Sequence, residues 1–285
     1  GPRKSFRLMK SAEKKEMQAT AVEAAKAAGA IMSRNHFAAK KINESTQRDI
    51  KLELDVKCQQ KIESMLTQAH PEVAILGEEG NAGDIETDLR WIVDPIDGTV
   101  NYTYGIPHAC VSIALQQRLA KRNAARDDFE TIVGVVFDPF TDELWTATKG
   151  QAARLNGRKI SVNDGPLKEA MLAIGFAKDK PTMDYMMPYF MKLAPKIRKP
   201  RMMGSAALAM TYVASGRFHG YIESKIRLWD VAAGGLILEC AGGEFWRMPR
   251  KKGEHTYAVV ASNGRIRKQI ERTCGPLDPD GLLKK

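Results

Sequence analysis

Apolar and polar positions along the chain alternate first at helical and then at strand spacing. Met17, Ala21, Ala24, Ala28, Ile31 and Met32 fall on one side of a helix predicted from residue 11 to about residue 36. Alanines and Gly29 keep that face thin, which suits close helix packing in a core rather than insertion in a membrane. From Asp49 to Asp55 apolar and charged residues alternate, the period of a short strand. Asp55 is then placed to cap a helix from Val56 to about Ala69, with Ile62, Met65, Leu66 and Ala69 on one side. Residues 73–76 and 91–93 are continuous apolar runs and are read as buried strands. Pro95 cannot donate to a sheet ladder, so the second run is predicted to stop there, with Asp94 at its end and Asp97-Gly98 in a turn.

The same reading continues downstream. Residues 108–116 form a strand, followed by a charged loop over 121–128. Strands over 131–137 and 143–148 flank a long turn at Asp138–Asp142, and Asn156-Gly157 is a tight-turn signal, so antiparallel sheet dominates this half. From Ala170 onward strand and helix alternate: a strand over 170–176, a helix near 183–193 and a strand over 198–202. Gly204-Ser205-Ala206-Ala207 opens the next helix, with Ser205 as its cap and Gly216 as its stop. A strand over 218–223 then leads to a small-residue helix with Asp230 near its N-terminus.

Composition narrows the class. The 285 residues are 44% hydrophobic and 27% charged, ordinary for a globular chain with a substantial core. No apolar run approaches the ~20 residues that cross a bilayer, and no secretory h-region is read near the start. The four cysteines, Cys58, Cys110, Cys240 and Cys274, are scattered without a C-x-x-C pair, which points to free thiols and a reducing, cytoplasmic location. The five histidines show no zinc-enzyme spacing. The net charge of +10 gathers around residues 3–15, 192–201, 247–252 and 265–272. Without aromatic interleaving, such a surface is expected to bind nucleic acid weakly and without sequence selectivity.

Three acidic corners carry the chemistry. They are Gly77-Glu78-Glu79, Asp94-Pro95-Ile96-Asp97-Gly98-Thr99 and Trp229-Asp230. Carboxylates crowded at strand ends repel unless a cation sits between them, and hard divalent ions take oxygen ligands. The motifs G-E-E, W-I-V-D-P-I-D-G-T and W-D-V-A-A-G occur in that order between Gly77 and Gly243. They resemble the signature of the inositol monophosphatase family of magnesium-dependent, lithium-inhibited phosphatases. The resemblance implies an α/β fold, the layered αβαβα sandwich of the sugar phosphatases. It implies one such domain over the whole chain, with halves at about 11–165 and 166–285, and a homodimer. Glu78, Asp94 and the Ile96 carbonyl would hold one Mg2+, and Asp94, Asp97 and Asp230 a second, with two or three ions per subunit. Thr99, with Glu78 or Asp49, would orient the attacking water. Gly98 and Thr99 would meet the phosphate. Gly204, Ser205, Ala206, Glu223 and Asp230 would line the substrate side. The family pattern D-x-x-T-x-x-D is met at Asp49 and Asp55, but Leu52 stands where it has threonine.

These implications lead to a hydrolase of small phosphate monoesters, inositol monophosphate foremost. Related phosphatases of 3′-phosphonucleotides, fructose bisphosphate, histidinol phosphate or NADP are the alternatives, together with an RNA-associated regulatory relative. Glu223 favours a polyol, because a carboxylate accepts hydrogen bonds from vicinal hydroxyls.

Overall fold

The computed structural model describes residues 9–38, 42–45, 50–119, 129–177, 179–250 and 255–281. Helix α1 (Ser11–Asn35) buries Met17, Ala21, Ala24, Ala25, Ala28, Gly29 and Met32. A Cβ at Gly29 would lie 2.6 Å from the Phe137 ring, so only glycine lets the helix settle this low on the sheet beneath it. A short antiparallel pair, β1 (Ile42–Ser45) and β2 (Ile50–Leu52), precedes α2 (Glu53–Ala69). Asp49 and the charged loop over 121–128 lie outside the described residues.

The first sheet holds β3 (Ala74–Gly77), β4 (Gly80–Ala82), β5 (Leu89–Asp97), β6 (Cys110–Arg118), β7 (Phe129–Asp138), β8 (Glu143–Thr148), β9 (Arg154–Leu155) and β10 (Arg158–Lys159). Their order is β10-β9-β8-β7-β6-β5-β3-β4, and among these described strands only β3 and β5 run parallel. The short helix α3 (Thr99–Thr103) joins β5 to β6. Asn156 and Gly157 both take positive φ, as a tight turn between right-twisted strands requires.

The second sheet contains β11 (Met171–Ile174), β12 (Lys199–Arg201), β13 (Gly220–Arg227), β14 (Glu244–Pro249) and β15 (Thr256–Ser262), in the order β12-β11-β13-β15-β14. Helices α4 (Lys180–Leu193), α5 (Ala206–Ala214), α6 (Leu228–Cys240) and α7 (Arg267–Cys274) alternate with these strands. Helices α1 and α2 cover the outer face of the first sheet, α5 and α6 lie between the sheets, and α4 and α7 cover the far face of the second. The architecture is therefore the layered αβαβα sandwich. Its middle layer is rich in small residues: Ala206, Ala207, Ala209, Ala232 and Ala233 are buried there, so the helices approach both sheets closely. Large side chains fill the remaining space, and each fully buried one, such as Leu208, Met210 or Ile237, stabilises by about 1.5–3 kcal/mol. Among the described residues no helix is long and apolar enough to cross a membrane.

Three expectations are corrected. The strand expected to end at Pro95 runs on to Asp97. Between Asp94↔Ser112 and Asp97↔Cys110, β5 advances 97 − 94 = 3 residues while β6 advances 112 − 110 = 2. That one-residue bulge absorbs the missing proline amide. Asp55 does not cap a helix beginning at Val56. Helix α2 starts at Glu53, and the Asp55 carboxylate, one turn in, accepts the Leu52 amide at 2.7 Å. Ala69 is exposed where it was expected beside Ile62 and Leu66, because a shallow groove opens between the end of α2 and Thr20 and Glu23 of α1.

Candidate active site

The β5 bulge sets the site. In a regular strand, residues three apart point to opposite faces. The extra residue between Asp94 and Asp97 reverses that alternation and turns both carboxylates to one side. The Asp94 carboxylate accepts the Ile96 amide at 3.0 Å, which holds the bulge, and the Thr99 hydroxyl donates to the Ile96 carbonyl at 2.9 Å. Gly98 then takes φ 97° to start α3; a Cβ there would lie 2.9 Å from the His108 carbonyl oxygen. Asp230 comes from the first turn of α6, where its carboxylate accepts the Arg227 amide at 3.0 Å. One carboxylate oxygen from each of Asp94, Asp97 and Asp230 lies within 4.8 Å of the others.

Electrostatics at this corner are unbalanced. Burial, then the charges of Glu78, Asp97 and Asp230, push the Asp94 carboxyl well above its ordinary value. Asp230 is driven up by burial and by Asp97 and Glu78. Burial brings Asp97 to about 6 against the opposing pull of its donors. The strongest of those donors are the Ser205 hydroxyl at 2.6 Å and the Ala207 amide at 2.7 Å, both on the same carboxylate oxygen. Among the described residues no lysine or arginine pairs with Asp94, Asp97 or Asp230. Glu78 lies outside the tight cluster. It follows the end of β3, its amide donates to the Val93 carbonyl at 3.1 Å, and its charge reaches Asp94 and Asp230.

A cavity of about 380 Å³ opens beside the carboxylates. Asp97, Asp230, Gly204, Ser205, Ala206 and Glu223 all stand on its wall, so the structure gathers residues up to 133 positions apart (230 − 97 = 133). Ser205 caps α5 as expected, and its hydroxyl has a further partner. Its hydroxyl is committed to Asp97 and accepts the Leu208 amide at 3.3 Å, capping α5. Glu223 points away from the surface cations that could have claimed it. Lys225 pairs with Asp179 at 3.0 Å, and an Arg227 guanidinium nitrogen donates to Thr256. Leu52 is buried in the outer cluster and offers no hydroxyl.

Four contributors were not foreseen. The Ala207 amide holds Asp97 across 110 residues of sequence, which no local pattern signals. Asn101 donates to the carbonyls of His108 at 2.9 Å and Met203 at 2.8 Å, tying α3 to the loop before α5. Tyr221 donates its hydroxyl to Glu223, and Gly175 lies under the same carboxylate. Strand alternation could have found Tyr221, two residues before Glu223 on the same face.

Comparison with known proteins agrees with the fold. A family model described as "Inositol monophosphatase family" matches residues 13–274. "Inositol monophosphatase 2" of Solanum lycopersicum is 38% identical over 232 residues, 78% of this chain and 84% of that protein. "Nus factor SuhB" of Xylella fastidiosa is 37% identical over 262 residues, 88% of this chain and 91% of that protein. Among solved structures, the extragenic suppressor protein suhB from Bartonella henselae superposes with a TM-score of 0.81 at 28% identity, covering 91% of this chain and 98% of that one. The matched span includes all three acidic corners, and the chain belongs to the inositol monophosphatase family, whose members are magnesium-dependent phosphatases of small phosphate esters.

Proposed function

We propose that the chain hydrolyses a small polyol phosphate, inositol monophosphate foremost, at the carboxylate cluster. The observation that carries this reading is the placement of Glu223 on the same cavity wall as Asp97 and Asp230. The cluster fits divalent cations: its donors are all oxygens, they lie within 4.8 Å, and their mutual repulsion has no protein cation to relieve it among the described residues. Asp94, Asp97 and Asp230 would hold one Mg2+, and Glu78, Asp94 and the Ile96 carbonyl another. When bound, such ions supply activation of water and neutralisation of charge on the leaving oxygen.

The chain's own groups do the rest. Ser205 and Ala207 fix the Asp97 carboxylate in one rotamer. Thr99, whose hydroxyl already meets the Ile96 carbonyl, sits where it can orient the attacking water together with Glu78. Gly98 and Thr99 open α3 beside Asp97, next to where the phosphate would lie. Glu223 accepts hydroxyl hydrogens of the polyol. The test is phosphate release from inositol monophosphate in magnesium and in excess chelator, against a panel including a 3′-phosphonucleotide, fructose bisphosphate, histidinol phosphate and NADP. A better kcat/KM on any other member of that panel replaces the substrate named here. A homodimer is part of the same reading and is checked by light scattering.

A second role has one observation in its favour. Lys196, Arg198, Lys199 and Arg201 are exposed on and before edge strand β12 and pair with no carboxylate among the described residues. Several relatives carry the name "Nus factor SuhB". An RNA-associated role would use such a strip, and a titration of single-stranded RNA at two salt concentrations tests it.

A further inference from the structure

Glu223 is held from two sides by groups outside the carboxylate cluster. Tyr221 precedes it by two residues on β13, so both side chains leave the same face of the strand and stand on the cavity wall. The Tyr221 ring is 3% exposed, and its hydroxyl donates to Glu223 Oε2. Oε1 carries no protein partner among the described residues. Gly175 closes the other side. A Cβ added there would fall 1.7 Å from Glu223 Oε2 and 2.4 Å from its Cδ, so the carboxylate lies directly on the backbone of residue 175. The Gly175 amide is itself fixed, donating to the Ile222 carbonyl at 2.9 Å. Gly175 does not adopt a left-handed φ, so what glycine provides here is space rather than backbone freedom. One residue beyond Glu223 the β13–β15 ladder slips: β13 advances 226 − 223 = 3 while β15 advances 259 − 257 = 2. The strand therefore loses regular pairing just after the acid, and its aim depends on the side-chain contacts.

We infer that Tyr221 is the positioning residue for polyol recognition: its hydroxyl occupies Glu223 Oε2, Gly175 bounds the carboxylate from behind, and Oε1 is thereby aimed at the substrate hydroxyls. This rests on the reading of Glu223 as the polyol contact. A carboxylate whose second oxygen is already committed presents one oxygen in one orientation. A free one samples several rotamers and loses that entropy on binding. The role is distinct from support of the metal ligands, because neither Tyr221 nor Gly175 donates to Asp94, Asp97 or Asp230.

Steady-state kinetics on inositol monophosphate and on an aryl phosphate lacking hydroxyls, with magnesium present, test this. Tyr221→Phe keeps the ring and its packing. It should lower kcat/KM for inositol monophosphate about tenfold, mainly through KM, and leave the aryl phosphate within about twofold. Gly175→Ala should give the same polyol-selective loss without touching the tyrosine. The double variant Tyr221→Phe/Glu223→Gln should lose no more than Glu223→Gln alone, because Tyr221 acts only through Glu223. Additive losses, equal losses on both substrates, or an unchanged KM for the polyol in Tyr221→Phe would each overturn the inference. Circular dichroism checks folding, and if Tyr221→Phe does not fold, Gly175→Ala and its cycle with Glu223→Gln decide the question. A wild type with no preference for the polyol over the aryl ester defeats the substrate reading, and this inference with it. A wild-type preference that Glu223→Gln abolishes and Tyr221→Phe leaves intact defeats this inference alone.

Discussion

Replacing Asp94 by asparagine should abolish activity and, in the absence of metal, make the protein more stable. Asp94 is 1% exposed and sits within 4.8 Å of two other carboxylates. Two unit charges at that separation repel by about 3.5 kcal/mol at an effective dielectric of ~20. Burial acts in the same direction: it raises Asp97 from 3.8 to about 6 against the pull of its hydrogen-bond donors. The folded state raises these acids, so it holds their protons more tightly than the unfolded chain. Stability from this site is thus greatest below the ordinary carboxylate range and is lost as pH rises through the folded values. An asparagine in place of Asp94 would mimic the protonated acid at every pH. In chelator, Asp94→Asn and wild type should melt together near pH 4, and by pH 8 the variant should be ahead by about 2–3 kcal/mol, or roughly 3–5 °C. Excess magnesium should close that gap from the wild-type side, since a ligand at a hundred times its Kd adds about 2.7 kcal/mol. Phosphate release should fall by several orders of magnitude at all pH values. Scanning calorimetry at pH 4 and pH 8, with and without magnesium, reads the stability arm. A variant less stable than wild type at pH 8 in chelator would refute the account of mutual repulsion. A folded, metal-loaded variant with near-normal turnover would refute the placing of Asp94 between two ions.

Three further outcomes follow from the same groups. Phosphate release should require magnesium and be inhibited by millimolar lithium; full activity in excess chelator would remove the two-ion scheme. Glu223→Gln should lower kcat/KM on inositol phosphates by roughly ten- to a hundredfold and leave an aryl phosphate nearly unchanged, the loss expected for hydrogen bonds to a charged acceptor. RNA binding through the strip from Lys196 to Arg201 should be weak and weaken steeply with salt, and a tight, sequence-selective complex at physiological salt would raise the regulatory role above the catalytic one.

Much of this was legible because the chemistry is local. Asp94, Pro95, Asp97 and Gly98 lie within five positions, and apolar runs on either side mark the strands that present them. The layers were legible as well, since alternation and turn signals gave most strands and the thin alanine face of α1 announced close packing. The bulge was not legible. A proline reads as a stop, and only the partner strand shows that the ladder resumes at Asp97. Contacts between distant segments were equally hidden. Ser205 looked like a helix cap with a place at the substrate, and it is a cap, but its proton goes to Asp97, 108 residues away. Asp49 keeps only the place beside the attacking water that the family resemblance implies for it.

The link between Asp97 and α5 also explains how three acids can be assembled before any cation arrives. Helices α5 and α6 both begin at this point: Ala207 in the first turn of α5 donates to Asp97, and Asp230 occupies the first turn of α6. Each N-terminus carries a partial positive charge, worth up to about 2 kcal/mol to a partly buried anion. Two such termini offset part of the cost of gathering the carboxylates, but burial first, and the neighbouring charges after it, still hold Asp94 and Asp230 above their ordinary values. The remainder is the driving force for cation binding. Both helices pack in the middle layer between the two sheets, so the termini cannot turn away when the acids ionise. The geometry is therefore set by burial of Leu208, Met210, Leu236 and Ile237, and a cation held by these acids would enter a site already built rather than fold one around itself.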